Sequence, residues 1–151
     1  MSFKHVLLDG RGDQTWTTPK EVFDAFDKRF CFTVDACASQ KNSLCEQFWT
    51  EQDDALAQDW GAQSIWVNPP FAMAKKFVEK AVKSASNGAL VTMVIPANMN
   101  SCYWHDHILG KPNVEVHFPR RGLKFGGAKK VCPCPVAVVV FHPGSPSTTP
   151  S

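Results

Sequence analysis

No apolar run in these 151 residues approaches the roughly 20 that would span a bilayer, and Met1–Gly10 has neither the basic start nor the long apolar stretch of a secretory leader. The chain is therefore expected to touch no membrane and to be cytoplasmic. Charge of one sign is not in excess: 16 Lys and Arg against 14 Asp and Glu leave a net charge of +2, too little to imply a polyanionic partner by itself. Six cysteines are present (Cys31, Cys37, Cys45, Cys102, Cys132, Cys134), but they lack the paired spacing of a zinc framework. A site built on Cys132 and Cys134 would need distant ligands such as His142. In a cytosolic chain of this size the thiols are expected to stay reduced, and no metal is expected. No internal repeat is found.

What is present is ordinary globular composition, 44% hydrophobic and 20% charged residues. The length suits one domain with one core and one site. Residues 1–15 carry Gly10, Gly12 and scattered charge without a period, a flexible lead-in. Residues 16–142 read as the single domain, and the Pro/Ser/Thr-rich residues 143–151 as a disordered tail.

Thr18, Pro19 and Glu21 form a Thr-x-x-Glu capping box with proline at the first helical position, and Val22, Phe23, Phe26 and Phe30 make an apolar stripe. The spacing predicts a helix over 19–29. "CFTVDACAS" predicts a strand over Cys31–Val34 that ends on Asp35. Ser64–Val67 is a second strand, and Phe77, Val78, Ala81, Val82 and Ala85 predict a helix that stops at Asn87-Gly88. "ALVTMVIP" reads as a strand buried on both faces, "SCYWHDHIL" as a short helix, and Val114–Phe118 and Val136–Phe141 as two more strands. Strands alternating with helices predict a three-layer α/β fold, its sheet mostly parallel with a terminal antiparallel hairpin.

The charges are unevenly placed. Acids gather at Asp53, Asp54 and Asp59, whereas Arg120, Arg121, Lys124, Lys129 and Lys130 cluster late. Such a patch suits phosphate contact, and it equally suits a solvated basic loop.

The segment "SIWVNPPFA" carries the chemistry. Two prolines after a strand fix two φ angles and push Asn68 toward an extended conformation, so the turn is rigid. With two N–H groups missing, it presents carbonyl acceptors. Asn68 adds a side-chain oxygen and Phe71 a flat apolar face. That set suits a planar ring bearing an exocyclic amine, whose hydrogens two acceptors hold while the aromatic side chain stacks on the ring. An aromatic amine is a poor nucleophile because its lone pair is delocalised. Acceptors that favour a pyramidal nitrogen direct the lone pair at an incoming methyl group, so positioning and electrostatics carry the reaction. A plain Asn-Pro turn would show the same dipeptide.

"TWTTP", "FTVDACAS", "DDALAQDW", "WVNPPF", "NSCYWHD" and "GLKF", in this order over about residues 14–142, resemble the phage-type DNA N6-adenine methyltransferases. The resemblance implies a Rossmann-like methyltransferase fold, S-adenosylmethionine as cofactor, double-stranded DNA as partner, and a bacterial host or prophage setting. It implies that Thr18 and Pro19 lie near the methionine moiety of the cofactor. Asp35, Ala36, Cys37 and Ala38 would form the cofactor loop, and Asp54 would meet the adenine of the cofactor. Asn68 and the Pro69 carbonyl would hold the target amine, in a catalytic segment completed by Pro70 and Phe71. The base would be flipped out of the duplex, at a cost of a few kcal/mol. Arg120, Arg121, Lys124, Lys129 and Lys130 are the candidates for offsetting it through phosphate contact. Trp104 and His105 are candidates for the target side, or else a core tryptophan and an exposed helix residue.

The chain departs from the family pattern in three places: Asp35–Gln47 contains no glycine, Phe71 stands where tyrosine is frequent, and "PRRGLKF" transposes the expected arginine and glycine. The alternative function is a catalytically weak or inactive nucleic-acid-binding protein on the same fold. Cytosine methylation through Pro133-Cys134, and methylation of a protein amide or an RNA amine, are further alternatives.

Overall fold

A computed structural model of the chain describes residues 19–38, 43–119 and 136–144. Helix α1 is Pro19–Phe30, and Val22, Phe23 and Phe26 are buried along one side of it, as a period of 3.6 requires. The strand expected over Cys31–Val34 is instead β1, Val34–Asp35. Cys31 belongs to the helix end: its φ of 50° is left-handed, and its N–H donates to the Asp27 carbonyl at 2.8 Å. The Asp27 carboxylate takes the next free donor, the N–H of Phe32, at 2.8 Å. A residue closing a helix in this way is not extended, so the strand starts later.

The chain continues through β2 (Gln47–Phe48), a 3-10 turn at Ala55–Ala57, β3 (Ser64–Val67) and a second 3-10 turn at Phe71–Met73. Then come α2 (Ala74–Ser86), β4 (Leu90–Pro96), α3 (Cys102–His107), β5 (Val114–His117) and β6 (Val136–Phe141). Asn87 and Gly88 end α2 as their types require, Gly88 at a φ of 111° that only glycine adopts without strain.

Six strands form one sheet in the order β2-β1-β3-β4-β6-β5. The pairings from β2 to β4 are parallel, and β6 runs antiparallel to both β4 and β5. The expected parallel sheet with an antiparallel end is thus present, with β6 inserted between β4 and β5. Side chains alternate with period two. Trp66, Val94, Val136, Val138 and Val140 meet α1 on one face. Ile65, Val67, Met93, Ile95, Val139 and Phe141 meet α2 and α3 on the other. Three layers result. Among the described residues, no helix is long and apolar enough to cross a membrane.

The architecture has one consequence for a site. β1, β3 and β4 run parallel, so Asp35, Val67 and Pro96 end at the same edge, where open α/β sheets hold ligands. Residues 1–15 lie outside the described residues, as does the tail beyond Gly144. The N–H of Gly144 donates to the Ala85 carbonyl at 3.0 Å, which ties the start of the tail to α2.

Candidate active site

A cavity of about 510 Å³ opens at the carboxyl ends of β1 and β3. Ala36, Cys37 and Ala38 form one wall, past the end of β1, and Asn68, Pro69 and Pro70 the adjoining one, past the end of β3. Both walls are rigid for local reasons. The N–H groups of Ala36 and Ala38 donate to the carbonyls of Trp66 (2.9 Å) and Trp49 (3.0 Å), so the first wall continues the β1 ladder. Pro70 has a φ of −58°, set by its ring, and its carbonyl accepts the Met73 N–H at 2.8 Å.

Thr50, Glu51, Asp54 and Ala55, beyond the end of β2, line a third side, and Met73 and Phe77 add apolar surface. Asp54 holds a left-handed φ of 59°, and its side chain caps the following turn by accepting the Leu56 N–H at 3.2 Å. Beneath it the buried Trp60 donates its indole N–H to the Ala55 carbonyl at 2.8 Å. A bulky aromatic thereby fixes the backbone that faces the cavity.

Asp35 does not line the cavity. It is only 3% exposed, and its carboxylate accepts the N–H groups of Leu44 at 2.9 Å and Cys37 at 3.4 Å. Burial raises its pKa, and these two hydrogen bonds oppose the rise. Its role is to tie the two ends of the loop that carries Ala36–Ala38. The Cys37 thiol is pushed up to about 12 by burial and by the Asp35 charge, against the opposing effect of the Asn68 backbone N–H. Burial, with the charges of Asp35 and Asp27, brings Cys45 to about 12 as well. Both stay protonated thiols at neutral pH, unlike a cysteine nucleophile.

The NPPF segment divides its side chains between two environments. Asn68, Pro69 and Pro70 face the cavity, whereas Phe71 packs against the cluster on the α1 face with Phe30, Phe32 and Leu44. Asn68 and Phe71 thus lie in different surroundings at the two ends of one turn.

Trp104, a candidate for the target side, is fully buried and donates its indole N–H to the Pro96 carbonyl at 3.0 Å. It fills the core and does not reach the cavity. His105, beside it on α3, is exposed. Pro19 is the first residue of α1. Thr18, Arg120, Arg121, Lys124, Lys129, Lys130, Cys132 and Cys134 lie outside the described residues. Among the described residues, no group of three His, Cys, Asp or Glu side chains is placed to hold a metal ion.

Sequence reasoning passed over Thr50, Glu51, Met73 and Phe77. Glu51 follows a strand of two residues, too short to show a period. Phe77 was legible only as one member of the apolar stripe of α2.

The matching family profile bears on this geometry. Residues 6–126 match the family described as DNA N-6-adenine-methyltransferase (Dam). The chain belongs to that family. The matched span of the Dam family contains both cavity walls and strands β1 to β5, and it ends before β6. Two curated phage proteins, each named DNA N-6-adenine-methyltransferase, are similar to the chain. That of Escherichia phage T1 is 34% identical over 91 residues, which cover 59% of this chain and 38% of the T1 protein. That of Haemophilus phage HP1 is 27% identical over 139 residues, covering 87% of this chain and 80% of its own length. The chain therefore spans under half of the T1 relative and most of the HP1 relative. No solved structure matches the chain.

Proposed function

We propose that this Dam-family chain transfers a methyl group from S-adenosylmethionine to the N6 amine of adenine in double-stranded DNA, on a Rossmann-like fold. The single observation that carries the reading is the rigid Asn68-Pro69-Pro70 turn forming a wall of a cavity of about 510 Å³ at the carboxyl edge of the sheet. That volume lies within the roughly 300–1,000 Å³ usual for pockets that enclose a small organic ligand.

The donor set fits the cofactor. Ala36 and Ala38 leave room for close approach, and Met73 and Phe77 offer an apolar slot for a purine. Glu51 and Asp54 offer carboxylates to ribose hydroxyls or to the cationic end of an amino-acid sulfonium. When bound, the cofactor supplies an electrophilic methyl carbon. The chain's own groups do the rest. The Asn68 side-chain oxygen and the Pro69 carbonyl accept the two hydrogens of the target amine, which leaves its lone pair to face the cavity. Phe71, on the other side of the same turn, stacks against the flipped base. Held in this way, the amine would take the methyl group as the bond from carbon to sulfur breaks, and would give up one proton to solvent.

Transfer of labelled methyl from S-adenosylmethionine to DNA lacking adenine methylation tests the reading. Asn68→Ala is expected to lower the rate at least about 100-fold while leaving cofactor affinity near wild type. A chain that binds DNA but neither binds the cofactor in calorimetry nor transfers methyl would be the inactive nucleic-acid-binding protein. Label appearing only on RNA or protein would move the substrate class.

A further inference from the structure

Three large hydrophobic side chains are conspicuously exposed among the described residues: Met99, Leu109 and Phe118. Two of them lie at the edge of the sheet that carries the site. The pairing register places Val67, Met93, Val139 and Val116 in one row across β3, β4, β6 and β5. β5 points the same way as β3, so Asn68 is one residue past this row and Phe118 two residues past it. Three strand spacings separate them, roughly 14 Å, with an offset of roughly 3 Å along the strands. That distance is about four base-pair steps of duplex DNA. Met99 lies three residues beyond Pro96, the last residue of β4, which runs between them.

Phe118 is not a stray surface ring. It is 43% exposed and lies nearly parallel to the buried indole of Trp104, at 14° with centroids 6.4 Å apart. Trp104 is in turn held to the Pro96 carbonyl. One side of the ring is thus backed by a fixed tryptophan, and the ring still has a large exposed area. The surroundings are polar. Asn98 and Asn100 flank Met99 and are exposed, and in the sequence Arg120 and Arg121 follow Phe118 after one proline. Two apolar groups flanked by exposed amides, with two arginines next in the sequence, are a poor fit to a protein interface core, which is depleted of charge. They match the way nucleic-acid-binding surfaces stack or wedge apolar side chains against bases while cations meet phosphates.

We propose that Phe118, with Met99 past the end of β4 on the same edge of the sheet, forms a stacking rim against which the DNA duplex rests and unstacks when its adenine occupies the Asn68 turn. The proposal rests on the methyl-transfer reading above. Trp104 then acts on DNA through Phe118, as the support that keeps its ring in place.

The test compares the full chain with Phe118→Ala, Phe118→Trp and Met99→Ala. It uses tritiated S-adenosylmethionine and plasmid DNA from a host lacking adenine methylation, with the same assay on single-stranded DNA. Expected for Phe118→Ala is a KM for duplex DNA raised about tenfold. The KM for the cofactor and the thermal midpoint are unchanged, and the defect is smaller on single strands. Met99→Ala is expected to show a smaller rise, and Phe118→Trp to stay within about threefold of wild type, since it keeps the stacking face. If Phe118→Ala unfolds, Phe118→Leu keeps apolar bulk against Trp104 but has no ring, and the same changes are expected of it. An active wild type whose duplex KM is unmoved in these variants overturns the rim alone, as does an equal rise in the cofactor KM. A wild type that methylates no DNA overturns the function, and the rim with it.

Discussion

Arg29, in the last turn of α1, and Glu115, on the outermost strand β5, lie 86 residues apart in the chain and form a two-point ion pair, Nη1 to Oε2 at 2.6 Å and Nη2 to Oε1 at 3.2 Å. His117 Nε2 meets Oε2 at 2.6 Å and His142 Nε2 meets Oε1 at 2.8 Å. One carboxylate therefore gathers groups from α1, from β5 and from the segment after β6.

Burial alone would raise the pKa of Glu115, but hydrogen bonds from Arg29, His142 and His117 outweigh it and hold the carboxyl at about 2, against an ordinary 4.5. A depressed carboxyl stabilises the fold above its ordinary value, and that stability is lost as pH falls from about 4.5 toward 2. The displacement corresponds to at most about 3 kcal/mol, and partial exposure reduces this to about 1–2 kcal/mol. Urea titrations of wild type and Glu115→Gln are expected to differ by that amount at pH 6, to draw together as pH falls below about 4.5, and to converge only below about pH 2. A constant gap across this range would show that the carboxylate charge is not the source.

Asp35→Ala removes the acceptor for two backbone N–H groups at 2.9 and 3.4 Å, one of them at the cavity wall. The expected loss is about 1–3 kcal/mol of stability, with weaker cofactor binding by calorimetry. Asp35→Asn keeps one acceptor and is expected to fall between the two. Unchanged affinity in the alanine variant would remove Asp35 from the support of the Ala36–Ala38 wall.

Cys37 and Cys45, both held near 12, should resist alkylation at pH 8, while the exposed Cys31 and Cys102 react first. Mass spectrometry after timed iodoacetamide treatment reads the order directly. Adding S-adenosylmethionine should slow Cys37, which lines the cavity, and leave Cys31 unchanged.

Phe71 lies off the cavity and on the α1 face. Phe71→Ala is therefore expected to lower kcat/KM for DNA by about 10- to 100-fold and to leave the cofactor Kd within a factor of about two. Phe71→Tyr, which keeps the ring, should retain most activity. A loss of cofactor binding in Phe71→Ala would place the ring on the wrong side of the turn.

Local patterns sufficed for much of this protein. The capping box and Phe stripe marked α1, the unbroken apolar run of β4 announced a strand covered on both faces, and Asn-Pro-Pro marked the rigid turn, because each depends on neighbours within a few residues. Cys31 misled the reading of β1, since its apolar, strand-like neighbours concealed a helix end closed by Asp27.

Distance along the chain set the limit. Nothing near Glu51 or Phe77 in sequence signals that β2, α2 and the loop after β1 converge on one hollow, because that depends on parallel strands ending at a common edge. The division of Asn68 and Phe71 between opposite sides of the sheet, the burial of Trp104 under Phe118, and the gathering of Arg29, His117 and His142 on Glu115 were likewise decided by the packing of three layers. Burial and through-space charge act between residues that only the folded chain brings together.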